Sequence, residues 1–117
     1  MFSTTKFQSR LRGIVDSANE TMGCGRGCNC PMQLRYDEYT MGADVMCEVM
    51  LRISGCVYLF VEGRFMDNKA ILTVVNDDSE KQQFVIDNEQ DAQNMCDVIE
   101  QYVQRYLDTV IRDYHAA

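Results

Sequence analysis

A glycine-rich segment in the first third of the chain carries three closely spaced cysteines. Cys24, Cys28 and Cys30 follow the spacing C-x3-C-x-C. Cysteine thiolates are preferred ligands of zinc, and a structural zinc ion takes four ligands. The fourth ligand would come from one of four more distant residues: Cys47, Cys56, Cys96 or His115. Structural zinc sites usually combine two cysteine pairs, so this single cluster is compatible with zinc without defining a complete site.

The same segment permits three other interpretations. Gly25, Arg26 and Gly27 would present successive backbone N–H groups beside a guanidinium, an arrangement that binds phosphate or a nucleotide. Two of the cysteines would form a disulfide in an oxidising compartment. In the last interpretation the cysteines simply pack as small apolar side chains in a tight loop. The sequence leaves these alternatives open, and we expect no cofactor other than the zinc that this loop would hold.

Residues suited to catalysis are few. The only histidine, His115, lies close to the end of the sequence, where a rigid setting for a nucleophile and base is not expected. The G-x-S-x-G motif, the phosphate-binding loop and the dinucleotide fingerprint do not occur. The paired acids Asp37–Glu38 and Asp77–Asp78 fall in predicted loops or at strand ends, where carboxylates are usually solvated. We therefore predict that the protein is not an enzyme.

Length and composition fit one compact domain over residues 1–117. The 117 residues include a single proline, 46% are hydrophobic and 25% are charged, as in ordinary globular domains. No apolar run approaches the roughly 18 residues that a membrane span needs. The first residues, MFSTTKFQSRLRG, lack the apolar core and cleavage site of a signal peptide. These features predict a cytoplasmic protein.

Charge is distributed unevenly along the chain. The formal net charge is −7, yet residues 1–36 carry an excess of bases, with five bases against two acids. Residues 37–117 hold sixteen acids against six bases. This acidity disfavours direct binding to a nucleic-acid backbone. It favours a basic partner, or imitation of nucleic acid towards a protein that binds it, unless it serves solubility alone.

Two neighbouring segments, 45–53 and 57–62, show apolar residues at every second position. This period of two predicts a β-hairpin with one buried face. A two-residue loop, Ser54–Gly55, would place the two apolar rows on opposite faces of the hairpin. A three-residue loop, Ile53–Gly55, would place them on one face and give glycine the left-handed position. We therefore predict the three-residue loop, with the pairs Leu51–Val57, Val49–Leu59 and Cys47–Val61.

Further segments extend the hairpin into an antiparallel meander of four to five strands within residues 32–87. A turn at 66–69, centred on Asp67–Asn68, is expected to bring Ala70, Leu72 and Val74 onto the face of Val61 and Phe65. A short strand is predicted at 82–87 and another, less regular, at 32–39.

Helices are predicted on both sides of the meander. Apolar residues at three- and four-residue steps predict a helix at 4–22, with Ser3 as its N-cap and Phe2 and Phe7 as a hydrophobic staple. A longer helix is predicted at 88–114, capped by Asn88 or Asp87. The fold class is therefore α+β, with loop 23–31 between the first helix and the sheet.

The face of the sheet opposite the main apolar rows carries a second apolar group. Met50, Tyr58, Phe60 and Arg64 are predicted to form a patch rimmed by charge, which is typical of protein-binding surfaces. One helix on each face would bury this patch, whereas two helices on one face would leave it exposed. We predict both helices on one face.

These features favour a non-catalytic, acidic protein-binding module that acts as an inhibitor or adaptor and forms a homodimer. The order of helix, antiparallel meander and long helix resembles that of secretion chaperones and of phage-encoded inhibitors. Two alternatives have a different basis. One is a small-ligand binder that takes zinc or a phosphate-bearing metabolite or nucleotide in loop 23–30, and the other is a mimic of nucleic acid.

Overall fold

The computed structural model describes residues 2–22, 32–76 and 80–115, without the side chains of Met22 and residues 110–115. The chain forms, in order, α1 (Thr4–Met22), β1 (Met32–Met41), β2 (Asp44–Ile53), β3 (Cys56–Phe65), β4 (Ala70–Asn76), β5 (Lys81–Ile86) and α2 (Glu89–His115). The predicted α+β class is therefore confirmed, and the less regular strand is a ten-residue β1. The residues predicted to bind zinc or phosphate lie outside the described residues: Cys24, Gly25, Arg26, Gly27, Cys28 and Cys30.

The five strands form one antiparallel sheet in the order β1-β2-β3-β4-β5, the predicted meander. The turn between β3 and β4 places Ala70 and Val74 on the face of Phe65 and Val61, as predicted. Phe65 pairs with Ala70, and Val61 pairs with Val74. A backbone hydrogen bond of 2.9 Å from the Met66 N–H to the Lys69 carbonyl closes this turn. Every neighbouring pair of strands is joined by a short connection, so no strand crosses over another.

The predicted three-residue loop between β2 and β3 is wrong. Ile53 pairs with Cys56, which leaves the two-residue loop Ser54–Gly55. Both loop residues have positive φ, 51° and 86°, as the tight hairpin turn that matches strand twist requires. The predicted strand pairs are also wrong, since Leu51 faces Leu59, Val49 faces Val61 and Cys47 faces Gly63.

A β-bulge explains why the tight turn still gives one apolar face. The register shifts between Leu51 and Arg52, so Arg52 faces Val57 whereas Leu51 faces Leu59. Tyr58 is the extra residue on β3, and a single inserted residue restores the alternation of faces beyond it. The hairpin therefore satisfies both the turn geometry and the burial of its apolar rows.

Both helices pack on one face of the sheet, as predicted. The hydrophobic core combines the apolar stripes of α1 and α2 with every second residue of the strands. Phe7 of α1 meets Phe65 of β3 edge to face, with ring centroids 5.7 Å apart. Along the edge of the sheet, the Asn19 amide donates a 3.0 Å hydrogen bond to the Leu34 carbonyl. The largest fully buried side chains all belong to this layer between sheet and helices.

The N-caps and the hydrophobic staple predicted at the helix starts are also confirmed. The Ser3 hydroxyl accepts a hydrogen bond from the Lys6 N–H, and the rings of Phe2 and Phe7 lie 6.2 Å apart. At the start of α2, the Asn88 side chain accepts a 2.8 Å hydrogen bond from the Asp91 N–H. Each cap satisfies a backbone donor that the first helical turn leaves without a partner.

Candidate functional site

The side of the sheet opposite α1 and α2, here called the open face, has no helix packed on it among the described residues. None of its side chains belongs to the hydrophobic core cluster. Cross-strand register arranges the face in rows that run across the strands. One row contains Arg35, Met50, Phe60, Val75 and Lys81, and another contains Tyr39, Met46, Arg64, Ile71 and Val85. These two rows are therefore mainly apolar, with basic residues among them.

The row between these two is acidic. Asp37 of β1 faces Glu48 of β2, and Glu48 faces Glu62 of β3. Neighbouring strands lie about 4.8 Å apart, so three carboxylates occupy adjacent positions on one surface. Arg35 lies 3.6 Å from Asp37. Glu48 and Glu62 are partly buried and form no ion pair within the part of the chain that the structure describes.

One corner of the open face is well packed. The Arg64 guanidinium lies 2.6 Å from the Asp44 carboxylate, and its Nε donates a second bond of 2.8 Å to the same group. Met46 faces both Tyr39 and Arg64 in the strand register. Its side chain is only 7% exposed although it lies outside the core cluster. The burial of Met46 indicates that side chains at this corner of the open face pack against one another.

The structure places three of the four residues predicted for partner binding on the open face, in two rows that the acidic row separates. Met50 faces Phe60 directly across β2 and β3, and Arg64 lies in the second apolar row. Tyr58 does not join them, because it packs against the core cluster and its ring lies 5.3 Å from the ring of Tyr106. The bulge between Leu51 and Arg52 turns Tyr58 towards the helices. Placing Tyr58 on the open face was therefore an error of register.

The patch predicted from the sequence did not include Glu48, Ile71 or Val75. Ile71 and Val75 lie on β4, whose residues are apolar on both faces, so they do not stand out in the sequence as part of a separate surface row. The pairing of Glu48 with Asp37 and Glu62 depends on the register of three strands. The acidic row could have been found only after the tight turn and bulge of the hairpin were recognised.

A second polar cluster lies where α1 meets β1. Arg12 lies 2.5 Å from the Glu38 carboxylate, which also accepts hydrogen bonds from Gln8 and from the Tyr36 hydroxyl. The Arg12 guanidinium also lies over the Tyr36 ring, 5.3 Å from its centroid. The adjacent Glu38 carboxylate raises the pKa of Arg12, and burial raises the pKa of Tyr36 to about 12. This cluster therefore attaches α1 to the edge of the sheet.

The described cysteines are thiols in contrasting settings. Cys47 and Cys96 are buried in the core, whereas Cys56 is exposed beside the hairpin turn. Burial raises the pKa of Cys47 to about 12 and that of Cys96 to about 11. Both side chains are protonated at neutral pH, a poor state for nucleophilic attack or metal binding. Among the predicted fourth zinc ligands, Cys56 is the accessible thiol, and the side chain of His115 lies outside the described residues.

Within residues 2–22, 32–76 and 80–115, no cluster of three histidine, cysteine or acidic side chains is arranged to hold a metal ion. Neither helix, over its described residues, has the length and apolar character required to cross a membrane. Comparison with known protein families, with curated proteins and with solved structures finds no match to this chain. Functional inference therefore depends on the geometry of the open face.

Proposed function

We propose that this protein is a non-catalytic protein-binding module, an inhibitor or adaptor, that docks a partner protein on the open face. The observation that carries the proposal is the placement of both helices on the opposite side of the sheet. Met50 and Phe60 face each other on the uncovered surface, and Val75 lies beside Phe60 on the neighbouring strand. Methionine and aromatic side chains are enriched at protein interfaces, and contiguous exposed apolar surface commonly marks one.

The polar residues of the open face support a specific interface. Arg35, Arg64 and Lys81 lie in the same rows as the apolar side chains, and arginine is also enriched at interfaces. Arg64 is held by Asp44 through two contacts, so less side-chain entropy is lost when a partner contacts it. Apolar side chains beside ordered polar ones are common at protein-binding surfaces.

The partner is expected to be another protein and not a second copy on this face. Two open faces brought together would bring acidic rows of the same sign towards each other, which is unfavourable. A homodimer remains part of the proposal, but it would use another surface. Binding of zinc or of a phosphate-bearing ligand by loop 23–30 stays a prediction, since that loop lies outside the described residues.

The test compares capture of partners from the source organism by the wild type and by the double variant Met50→Ser/Phe60→Ser. Val98→Ser is the matched control, because Val98 is 45% exposed on α2, which packs on the other side of the sheet. We expect the open-face variant to lose a partner that the control retains, while both remain folded by circular dichroism. The interaction would then be measured with purified components, and unchanged affinity of the double variant would refute the proposal.

A further inference from the structure

Glu48 and Glu62 form a partly buried acidic pair on the open face. The two carboxylates face each other across β2 and β3, and like charges in directly opposed positions destabilise a sheet. Neither forms an ion pair with a described residue. No ion pair with a described residue offsets this repulsion, in contrast to Glu38 with its Arg12 partner.

Docking of any partner on Met50 and Phe60 would affect these carboxylates. Each glutamate lies two residues along its strand from one of these apolar side chains, on the same face. A protein that covers the apolar row would remove water from the acidic row as well. Burial of a carboxylate without a cation is strongly unfavourable, so a purely apolar partner would bind poorly.

We infer that the partner presents a helix with two lysine or arginine side chains one turn apart, and that these side chains bind Glu48 and Glu62. This inference rests on the proposed function of the open face. Residues three or four positions apart on a helix are separated by about 4.5–6 Å along its axis, close to the strand spacing of about 4.8 Å. The helix would cross β2 and β3, with its flanking apolar side chains against Met50 and Phe60.

The geometry favours a basic protein segment over a metal ion. The carboxylates of Asp37, Glu48 and Glu62 project side by side from adjacent strands, and they form no metal-binding cluster among the described residues. Arginine would suit the site particularly well, because its planar guanidinium binds a carboxylate through two hydrogen bonds. The charge of the partner, as well as its apolar surface, would then set specificity.

The experiment uses the full chain and two synthetic helical peptides as probes. The basic peptide carries two arginines one turn apart within an apolar face, and the acidic peptide has glutamate at the same two positions. Affinity is measured by fluorescence anisotropy for the wild type, for Glu48→Gln/Glu62→Gln, and for Asp97→Asn/Glu100→Gln. The last variant is a matched control, since it removes the same charge from the exposed surface of α2.

We expect the basic peptide to bind the wild type, and the acidic peptide to bind at least about tenfold more weakly. The Glu48→Gln/Glu62→Gln variant should lose about tenfold in affinity for the basic peptide, whereas the α2 control should change little. Raising the salt concentration should weaken wild-type binding more than binding by the open-face charge variant.

Three results would overturn the inference: equal binding of the two peptides, equal losses in the two charge variants, or no binding of the basic peptide. Met50→Ser/Phe60→Ser separates this inference from the proposed function. If both peptides bind equally and both lose affinity in that variant, the open face docks partners but does not select them by charge. If only the charge substitutions affect binding, the apolar docking surface of the proposed function is wrong.

Discussion

The two faces of the sheet are made by the same strands but have different roles. On β2 and β3, Leu51 and Leu59 pair beneath the helices and are fully buried, whereas Met50 and Phe60 pair on the open face and remain partly exposed. The side chains in both pairs are large and apolar. Apolar character alone therefore does not identify the core of this protein, because the position of the helices decides which row becomes the interior.

Charge distinguishes the faces as clearly as burial does. On the helix-covered side, Glu38 is attached to Arg12 and Gln8 and helps to hold α1. On the open face, Glu48 opposes Glu62 and gains no cation from the described residues. Glu38 thus helps to stabilise the helix-covered side, whereas Glu48 and Glu62 differ from it, and from Asp44 on their own face, in having no ion-pair partner among the described residues.

The largest expected effect comes from a matched pair of substitutions on β3. Phe65→Ala removes a buried ring that contacts Phe7 and should cost about 3–5 kcal/mol of unfolding free energy. Phe60→Ala on the open face should cost about 1 kcal/mol, because that ring is already partly exposed. Urea unfolding of both variants measures the difference. Equal losses would mean that the open face is covered in solution.

Alkaline pH should lower the unfolding free energy of the protein through the buried thiol of Cys47. Burial raises the pKa of Cys47 from 9.0 to about 12, so the folded state favours the thiol. Its contribution to stability is therefore complete below pH 9 and is lost as pH rises towards 12. Between pH 9 and 11 the unfolding free energy should fall by about 2 kcal/mol from this group.

Urea unfolding at a series of pH values measures this decline. Cys47→Ala should show a shallower decline, and Cys56→Ala, which removes an exposed thiol, should leave the slope unchanged. The same slope in the wild type and in Cys47→Ala would show that Cys47 is not held as a buried thiol.

Tyr58 tests the boundary between the two faces. Its ring packs against the core and near Tyr106, so Tyr58→Ala should cost about 1–2 kcal/mol, more than Phe60→Ala. Tyr58→Phe should retain most of the stability, because it keeps the ring. Thermal unfolding of the three variants ranks them. If Tyr58→Ala is the least damaging of the three, the bulge does not turn this residue towards the helices.

The smallest expected effects come from neutralising one glutamate on each face, and the two changes in unfolding free energy have opposite signs. Glu48→Gln should stabilise the fold by about 0.2–0.5 kcal/mol, because it removes a like-charge contact. Glu38→Gln should destabilise it by up to about 1 kcal/mol through loss of the exposed ion pair with Arg12. Differential scanning calorimetry at low and high salt checks both values. The two effects should shrink at about 1 M salt, and a destabilising Glu48→Gln would contradict the proposed repulsion.

Much of the fold could be predicted from sequence because its signals are local. The caps at Ser3 and Asn88 hold in the structure, as does the turn at Met66–Lys69. The candidate surface was predicted less well. Met50 and Phe60 were found from strand alternation, but Tyr58 was assigned to the wrong face and the pairing of Glu48 with Glu62 was not predicted. Both errors come from the hairpin, where the turn was predicted one residue too long and the bulge was not foreseen.

The sequence by itself determined the elements and their apolar rows, because helix and strand periodicities are properties of residues close together in the chain. Only the tertiary structure decided that Glu48 opposes Glu62 and that Tyr58 turns inwards, since register depends on contacts between separate strands. It also decided that both helices cover one face and leave the other open. The physical reason is that either face of this sheet offers apolar surface, and only packing between distant segments selects which face is buried.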